Sequence, residues 1–123
     1  MADLPPLTDE TLWAIIHGEL TDDVANRLVW QGLGYRYDTE RQQWDLGAVE
    51  EPWREAYPTP PDFVDSRPAT VMLTRSIPPA YKQLLKEELG FKGYTIDQLT
   101  PQKTRRATIV NWLLAHRKAQ NPE

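Results

Sequence analysis

The chain has 123 residues, 40% hydrophobic and 26% charged, a length and composition that suit one globular domain with its own core and exclude a disordered chain. It contains no cysteine, which excludes disulfides, thiolate metal sites and cysteine nucleophiles and fits a reducing cytosol. The net charge of −4 is unevenly spread: residues 1–75 carry 6 Lys/Arg against 14 Asp/Glu, or −8, and residues 76–123 carry 8 against 4, or +4. Such polarity has two readings, a basic binding surface or two halves that pack and neutralise each other.

The opening "MADLPPLTDE" has neither a basic leader nor an apolar core segment, and no apolar run approaches the ~18 residues of a membrane span, so an unexported cytoplasmic protein is expected. "LTDETLWAII" and "LTDDVANRLV" then start two helices, at 7–16 and 20–29. In each a threonine, Thr8 or Thr21, caps free backbone N–H groups, and acids follow where the helix dipole favours them. Leu7 and Leu12 have the spacing of a hydrophobic staple, and Leu12, Ile15 and Ile16 form the buried stripe. Val24 and Leu28 carry the stripe of the second helix.

From 32 to 47 the period shortens. Tyr35 and Tyr37 alternate with Arg36, a polar turn follows, and Trp44 returns, which predicts a β-hairpin between Gly34 and Gly47. An isolated hairpin is marginal, so its aromatics either pack on the helices or form a platform for a partner. Five of the eleven prolines then fall between 52 and 68, with room for a turn of helix near Trp53 to Tyr57. Trp53, Tyr57 and Phe63 are the expected anchors of this wrapping segment, and Tyr35, Tyr37, Trp44, Trp53 and Tyr57 together are the aromatic candidate interface.

"ATVMLTRSI", 69–77, fits either a strand, favoured by its β-branched residues, or a helix capped by Ser66. Next, Tyr81, Leu84, Leu85 and Leu89 follow a helical stripe that Gly90 ends, and Thr95 and Gln98 have capping-box spacing. The last helix starts at Pro101 behind the cap Thr100 and runs to about Lys118. Ile109, Val110, Trp112, Leu113 and Leu114 cover more than half its circumference, which predicts a central helix buried on several sides.

The first turns of that helix carry cations, Lys103, Arg105 and Arg106, where the dipole favours acids. Arg106 projects into the apolar arc and needs a carboxylate or an exit to solvent. With Thr104, Thr108 and Asn111 of a small, uncharged stripe that continues to Ala115, these residues are the candidate partner- or anion-binding site. The alternative is internal pairing with the acidic half. Two histidines, His17 and His116, make no metal-ligand spacing, and no glycine pattern cradles phosphate, so no metal, no cofactor and no enzymatic activity are expected.

The expected fold is α+β and predominantly helical, with four main helices packed on one small aromatic β-hairpin or short antiparallel sheet. It forms one domain over 1–123, ordered from about 5 to 118 with flexible ends. The stretches "LVWQGLGYRYD", "PPDFVDSRPATVMLTRSIPP", "KQLLKEELGFKGY" and "LTPQKTRRATIVNWLL" resemble a small family of cyanobacterial proteins, with relatives in photosynthetic eukaryotes, classed as a domain of unknown function. The resemblance spans about residues 5–115 and implies a cytoplasmic protein-binding adaptor, or an assembly or regulatory factor, in a photosynthetic bacterium. Residues 82–114 alone also resemble the helix, loop, helix modules of SAP-type and Rho N-terminal domains. That likeness implies nucleic-acid binding through Lys82, Lys86, Lys92, Lys103, Arg105 and Arg106 as the alternative. A third reading is a small-ligand domain with an aromatic pocket.

Overall fold

A computed structural model of the chain describes residues 4–120, so the expected flexible ends fall partly outside the described residues. In chain order the elements are α1 (Asp9–Ile16), α2 (Asp22–Leu33), β1 (Arg36–Asp38), β2 (Gln43–Asp45), α3 (Glu51–Ala56), α4 (Arg67–Ser76), α5 (Leu84–Leu89) and α6 (Pro101–Gln120). Single 3-10 turns lie at Pro79–Tyr81 and Ile96–Gln98. The fold is α+β and mostly helical, with α1, α2, α5 and α6 where the sequence pattern puts them and α3 and α4 besides.

Local chemistry sets the helix starts. Thr8 Oγ1 accepts the Thr11 N–H at 3.2 Å, Thr21 Oγ1 that of Val24 at 3.3 Å, and Thr100 Oγ1 that of Lys103 at 3.1 Å. Helix α2 ends at Gly34, whose φ of 105° only glycine adopts freely, and a Cβ there would lie 2.3 Å from the Ala48 carbonyl oxygen. That close approach folds the hairpin back onto α2. The hairpin pairs Tyr37 with Trp44 in an antiparallel two-stranded sheet.

Segment 69–77 is helical, which corrects the preference for a strand. Ser66 Oγ accepts the Ala69 N–H at 3.3 Å, and Pro68 in the first turn suits a helix start. The β-branched residues that argued for a strand are accommodated by back-bonding: Thr74 Oγ1 donates to the Thr70 carbonyl at 3.0 Å. Ala69 and Leu73, both fully buried, turn the helix onto α6. Burial thus outweighs an intrinsic preference of a few tenths of a kcal/mol.

Helix α6 is the central element, packing against α1, α2, α4 and α5, and every residue from Ile109 to Ala115 is buried. Helix α2 buries Leu28 where the spacing predicts, together with Ala25 and Val29, while Val24 is only half-buried. Between these two helices Gly32 meets Trp112: a Cβ at Gly32 would sit 2.7 Å from the indole ring. A mid-helix glycine, costly by about 1 kcal/mol in isolation, is here the condition for seating a tryptophan.

The proline-rich segment is tied to α2 by a face that sequence reading missed. Asn26, 3% exposed, donates to Asp62 Oδ1 at 2.9 Å and accepts the Phe63 N–H at 2.9 Å, while Trp30 Nε1 donates to the Pro61 carbonyl at 2.7 Å. Tyr35 donates its hydroxyl to the Tyr57 carbonyl at 2.8 Å from a fully packed position. Trp53 and Phe63 are core residues and Tyr57 is half-buried, so the aromatics anchor the segment as expected.

Candidate functional site

The three cations that open α6 all have partners within the chain. Arg106 Nη1 lies 3.1 Å from Asp22 Oδ1 in the first turn of α2, with the Arg106 side chain 18% exposed. Its Nε is buried with no hydrogen-bond partner, so the pair is imperfectly satisfied. Arg105 Nη1 donates to the Val64 carbonyl at 2.8 Å, and Lys103 Nζ lies 5.9 Å from the centre of the Tyr94 ring. Burial pushes the Tyr94 phenol up, and the nearby Arg106 charge partly opposes that shift. At the far end of α6, Arg117 meets Asp9 of α1 at 2.9 Å and Glu88 at 3.4 Å. The acids that start α1 and α2 therefore pair with α6, which is how the two charged halves meet.

The other candidates separate. Asn111 is buried beneath α5, where its Oδ1 accepts the Leu85 N–H at 2.9 Å and its Nδ2 donates to the Tyr81 carbonyl at 3.3 Å. Helix α5 has no side-chain cap of its own, so Asn111 supplies one from another helix. Ala115 is buried as well. Thr104 and Thr108 face an open groove over the first half of α6, whose lining Asn111 reaches at one end.

Two adjoining clefts, of about 530 and 630 Å³, form this groove and share Thr74, Leu99, Thr104 and Thr108. Helix α4 makes one wall, and the segment from Lys82 to Tyr94 makes the other. The Thr74 and Thr108 hydroxyls are bonded to carbonyls of their own helices, Thr70 at 3.0 Å and Thr104 at 3.3 Å, so they need no external partner. At its edge Leu99 is 51% exposed and Val71 38%; Ile96, on the same turn as Leu99, is 90% exposed. Isolated exposed hydrophobes are ordinary, but Val71 and Leu99 line the same cleft.

Charge sharpens the description. Arg67, Arg75 and Arg105 line one cleft, Lys82, Lys86 and Lys92 the other, and no carboxylate lines either. Among the described residues the ion pairs use Arg27, Arg41, Arg106, Arg117 and Lys118, none of which lines the groove. Lys82 donates to the Thr74 carbonyl, which leaves its charge unneutralised. Asp97 on the adjoining turn is held below the usual carboxylate range, first by the Thr95 hydroxyl and also by the Lys103 charge.

Of the aromatic candidates, Tyr35, Trp53 and Tyr57 belong to the packing just described. Tyr37 and Trp44 stack edge-on at 5.2 Å, and Trp44 meets Trp30 at 5.7 Å, in a separate cleft of about 430 Å³. A further cleft of about 510 Å³ holds His116 stacked on Trp112 at 5.2 Å. Burial lowers the His116 pKa and keeps the ring neutral. Among the described residues no group of three His, Cys, Asp or Glu is placed to hold a metal ion, and no helix is long and apolar enough to cross a membrane.

These features define a small, mostly helical domain organised around a central C-terminal helix, with an open cationic groove on that helix's first half. The chain belongs to the family described as Domain of unknown function (DUF1823), whose model matches residues 6–118. A solved protein described as "Solution NMR structure of the protein" is similar to it, with 60% identity, a TM-score of 0.81, and coverage of 98% of this chain and 99% of that one. No curated protein matches the chain.

Proposed function

We propose that this protein is a non-enzymatic protein-binding adaptor or assembly factor that docks its partner in the groove over α6. The observation that supports this most is the combination of exposed Val71 and Leu99 with Thr74 and Thr108 hydroxyls already bonded within their own helices. Such a surface gains free energy by losing water and has little polar desolvation cost to recover. The same reading takes the protein to act in the cytoplasm of a photosynthetic bacterium, in keeping with a cysteine-free chain. The test is photo-cross-linking in lysate of the native host from a benzophenone side chain at Thr108 or Val71, with Glu55 as a control position. Discrete protein adducts from the groove positions alone are expected, and equal labelling from Glu55 contradicts the reading.

Nucleic-acid binding is the second reading, favoured by the unpaired Lys86 and Lys92. It is weakened because Lys103, Arg105 and Arg106 have partners already. The groove's rings, Phe91 and Tyr94, also pack edge-on against each other at 5.0 Å rather than standing free to stack with bases. Adducts that disappear on nuclease treatment would establish this alternative in place of the first.

A further inference from the structure

We infer that the occupant of the groove is a carboxylate-rich amphipathic α-helix of a partner protein. This deepens the docking proposal above and rests on it. The argument begins with charge. Six cations line the groove without one carboxylate, in a chain whose net charge is −4. Five of the chain's acids, Asp9, Asp22, Asp23, Asp38 and Glu88, each pair with a cation outside the groove. The ion pairs of α6, through Arg106, Arg117 and Lys118, all lie outside this groove. A cluster of like charges repels itself, and an acidic ligand removes that repulsion as it binds.

Shape points to a helix. The groove runs along α6 between two walls, over Thr104, Ala107 and Thr108, at relative positions i, i+3 and i+4. Small side chains at that spacing leave the furrow into which the side-chain ridge of a second helix packs, at an interaxial distance of ~8–10 Å. From Pro101 to Asn111 the floor is about 15 Å long, which matches about three turns of a bound helix. Val71 and Leu99 sit at the two sides, placed to meet an apolar stripe, while Lys86, Lys92, Arg67 and Arg75 stand where acidic flanks of the same helix would lie. An extended acidic segment would satisfy the charges without using the furrow.

The test titrates isotope-labelled protein with three synthetic peptides about three turns long: a stapled amphipathic helix with glutamate flanks, the same helix with glutamines, and a proline-interrupted version of the acidic one. Amide shifts are expected at Val71, Thr74, Lys92, Leu99, Thr104 and Thr108 with the acidic helix. The glutamine helix should bind about tenfold more weakly, and raising salt from about 50 to about 200 mM should weaken the acidic helix several-fold. The proline version should also lose at least about tenfold. Lys86→Glu/Lys92→Glu protein, its fold checked by its amide spectrum, should lose the acidic helix to a similar degree.

Equal binding of the glutamine or proline peptide overturns the inference, as do shifts confined to the Trp44 or His116 clefts, or no binding of the acidic helix. Concentration-dependent self-association that protects the groove and is lost in Lys86→Glu/Lys92→Glu would make the occupant a second copy's acidic half, and would equally overturn it. Cross-linking separates the two levels. Groove adducts with a protein that is not an acidic helix sink this inference alone, whereas absence of groove adducts sinks the docking proposal beneath it.

Discussion

Arg106 and Asp22 are 84 positions apart in sequence, and their side chains meet at 3.1 Å where α6 passes the start of α2. The pair gives an apparently misplaced cation an internal purpose. Asp22 already favours α2 through the helix dipole, and its negative charge then offsets the positive charge that α6 places in its own early turns. Arg106→Ala should lower the unfolding free energy by about 1–2 kcal/mol, through lost packing of its stem as well as the lost pair. Asp22 is 45% exposed, so screening limits the pair itself to about 0.5–1 kcal/mol in a double-mutant cycle with Asp22→Asn. A coupling of zero in urea denaturation would reduce the contact to coincidence.

Asn111 makes a second such link, from α6 to the start of α5. Asn111→Ala strands the Leu85 N–H and the Tyr81 carbonyl, and should cost about 1–3 kcal/mol. Because α5 is short, the loss should be local. Hydrogen exchange is expected to accelerate at residues 84–90 more than in α1 or α2, and uniform acceleration would show that Asn111 supports the fold as a whole instead.

Gly32→Ala reverses the usual sign for a helix. Alanine ordinarily gains up to about 1 kcal/mol over glycine at such a position. Here the added carbon would lie 2.7 Å from the Trp112 ring, so the ring must move or α2 must shift. A net loss of about 1–3 kcal/mol with altered tryptophan fluorescence is the expected result. A more stable Gly32→Ala protein would show that α2 and α6 are less closely packed than described.

Tyr35 predicts a pH dependence. Burial pushes its phenol up to about 12 from 10.0. Between those values the unfolded phenol has lost its proton while the folded one retains it, so deprotonation favours the unfolded state and stability falls as pH rises. The full effect is about 2–3 kcal/mol. Denaturation midpoints at pH 9 and about pH 11 should diverge in the wild type and diverge less in Tyr35→Phe. Tyr35→Phe should also cost about 1 kcal/mol at neutral pH, because the Tyr57 carbonyl loses its donor.

Much of this architecture is legible in the chain because caps are local chemistry. Thr8, Thr21 and Thr100 cap where a threonine precedes a suitable first turn, and Gly34 ends α2 where a turn needs positive φ. The central burial of α6 follows from an apolar arc too wide for a surface helix. What local chemistry does not contain is which element lies opposite. Asn26 and Trp30 are one turn apart on α2, yet only the folded chain brings Pro61 and Asp62 to them.

The groove was half visible for a related reason. Thr104 and Thr108 stand out from the sequence, whereas Arg67, Val71 and Arg75 form a compact row only on a helix, where a four-residue interval is a rise of about 6 Å. Read as a strand, the same residues keep one face but lie about 13 Å apart, so the preference for β-branched strands concealed the wall they make together. The need of Arg106 for a carboxylate is legible from its place in the apolar arc, whereas Asp22 as its partner and the Val64 carbonyl as that of Arg105 are surroundings that sequence does not specify.

The cations of the C-terminal half divide into those that serve the fold and those that the docking proposal leaves to a partner. Unfolding free energies of Arg106→Glu and Lys92→Glu, two identical changes in charge, test that division most directly. Arg106→Glu is expected to lose about 2–4 kcal/mol, by setting a second carboxylate beside Asp22 in a largely buried position. Lys92→Glu should stay within about 0.5 kcal/mol of wild type. Equal losses, or a larger loss at Lys92, would contradict the division.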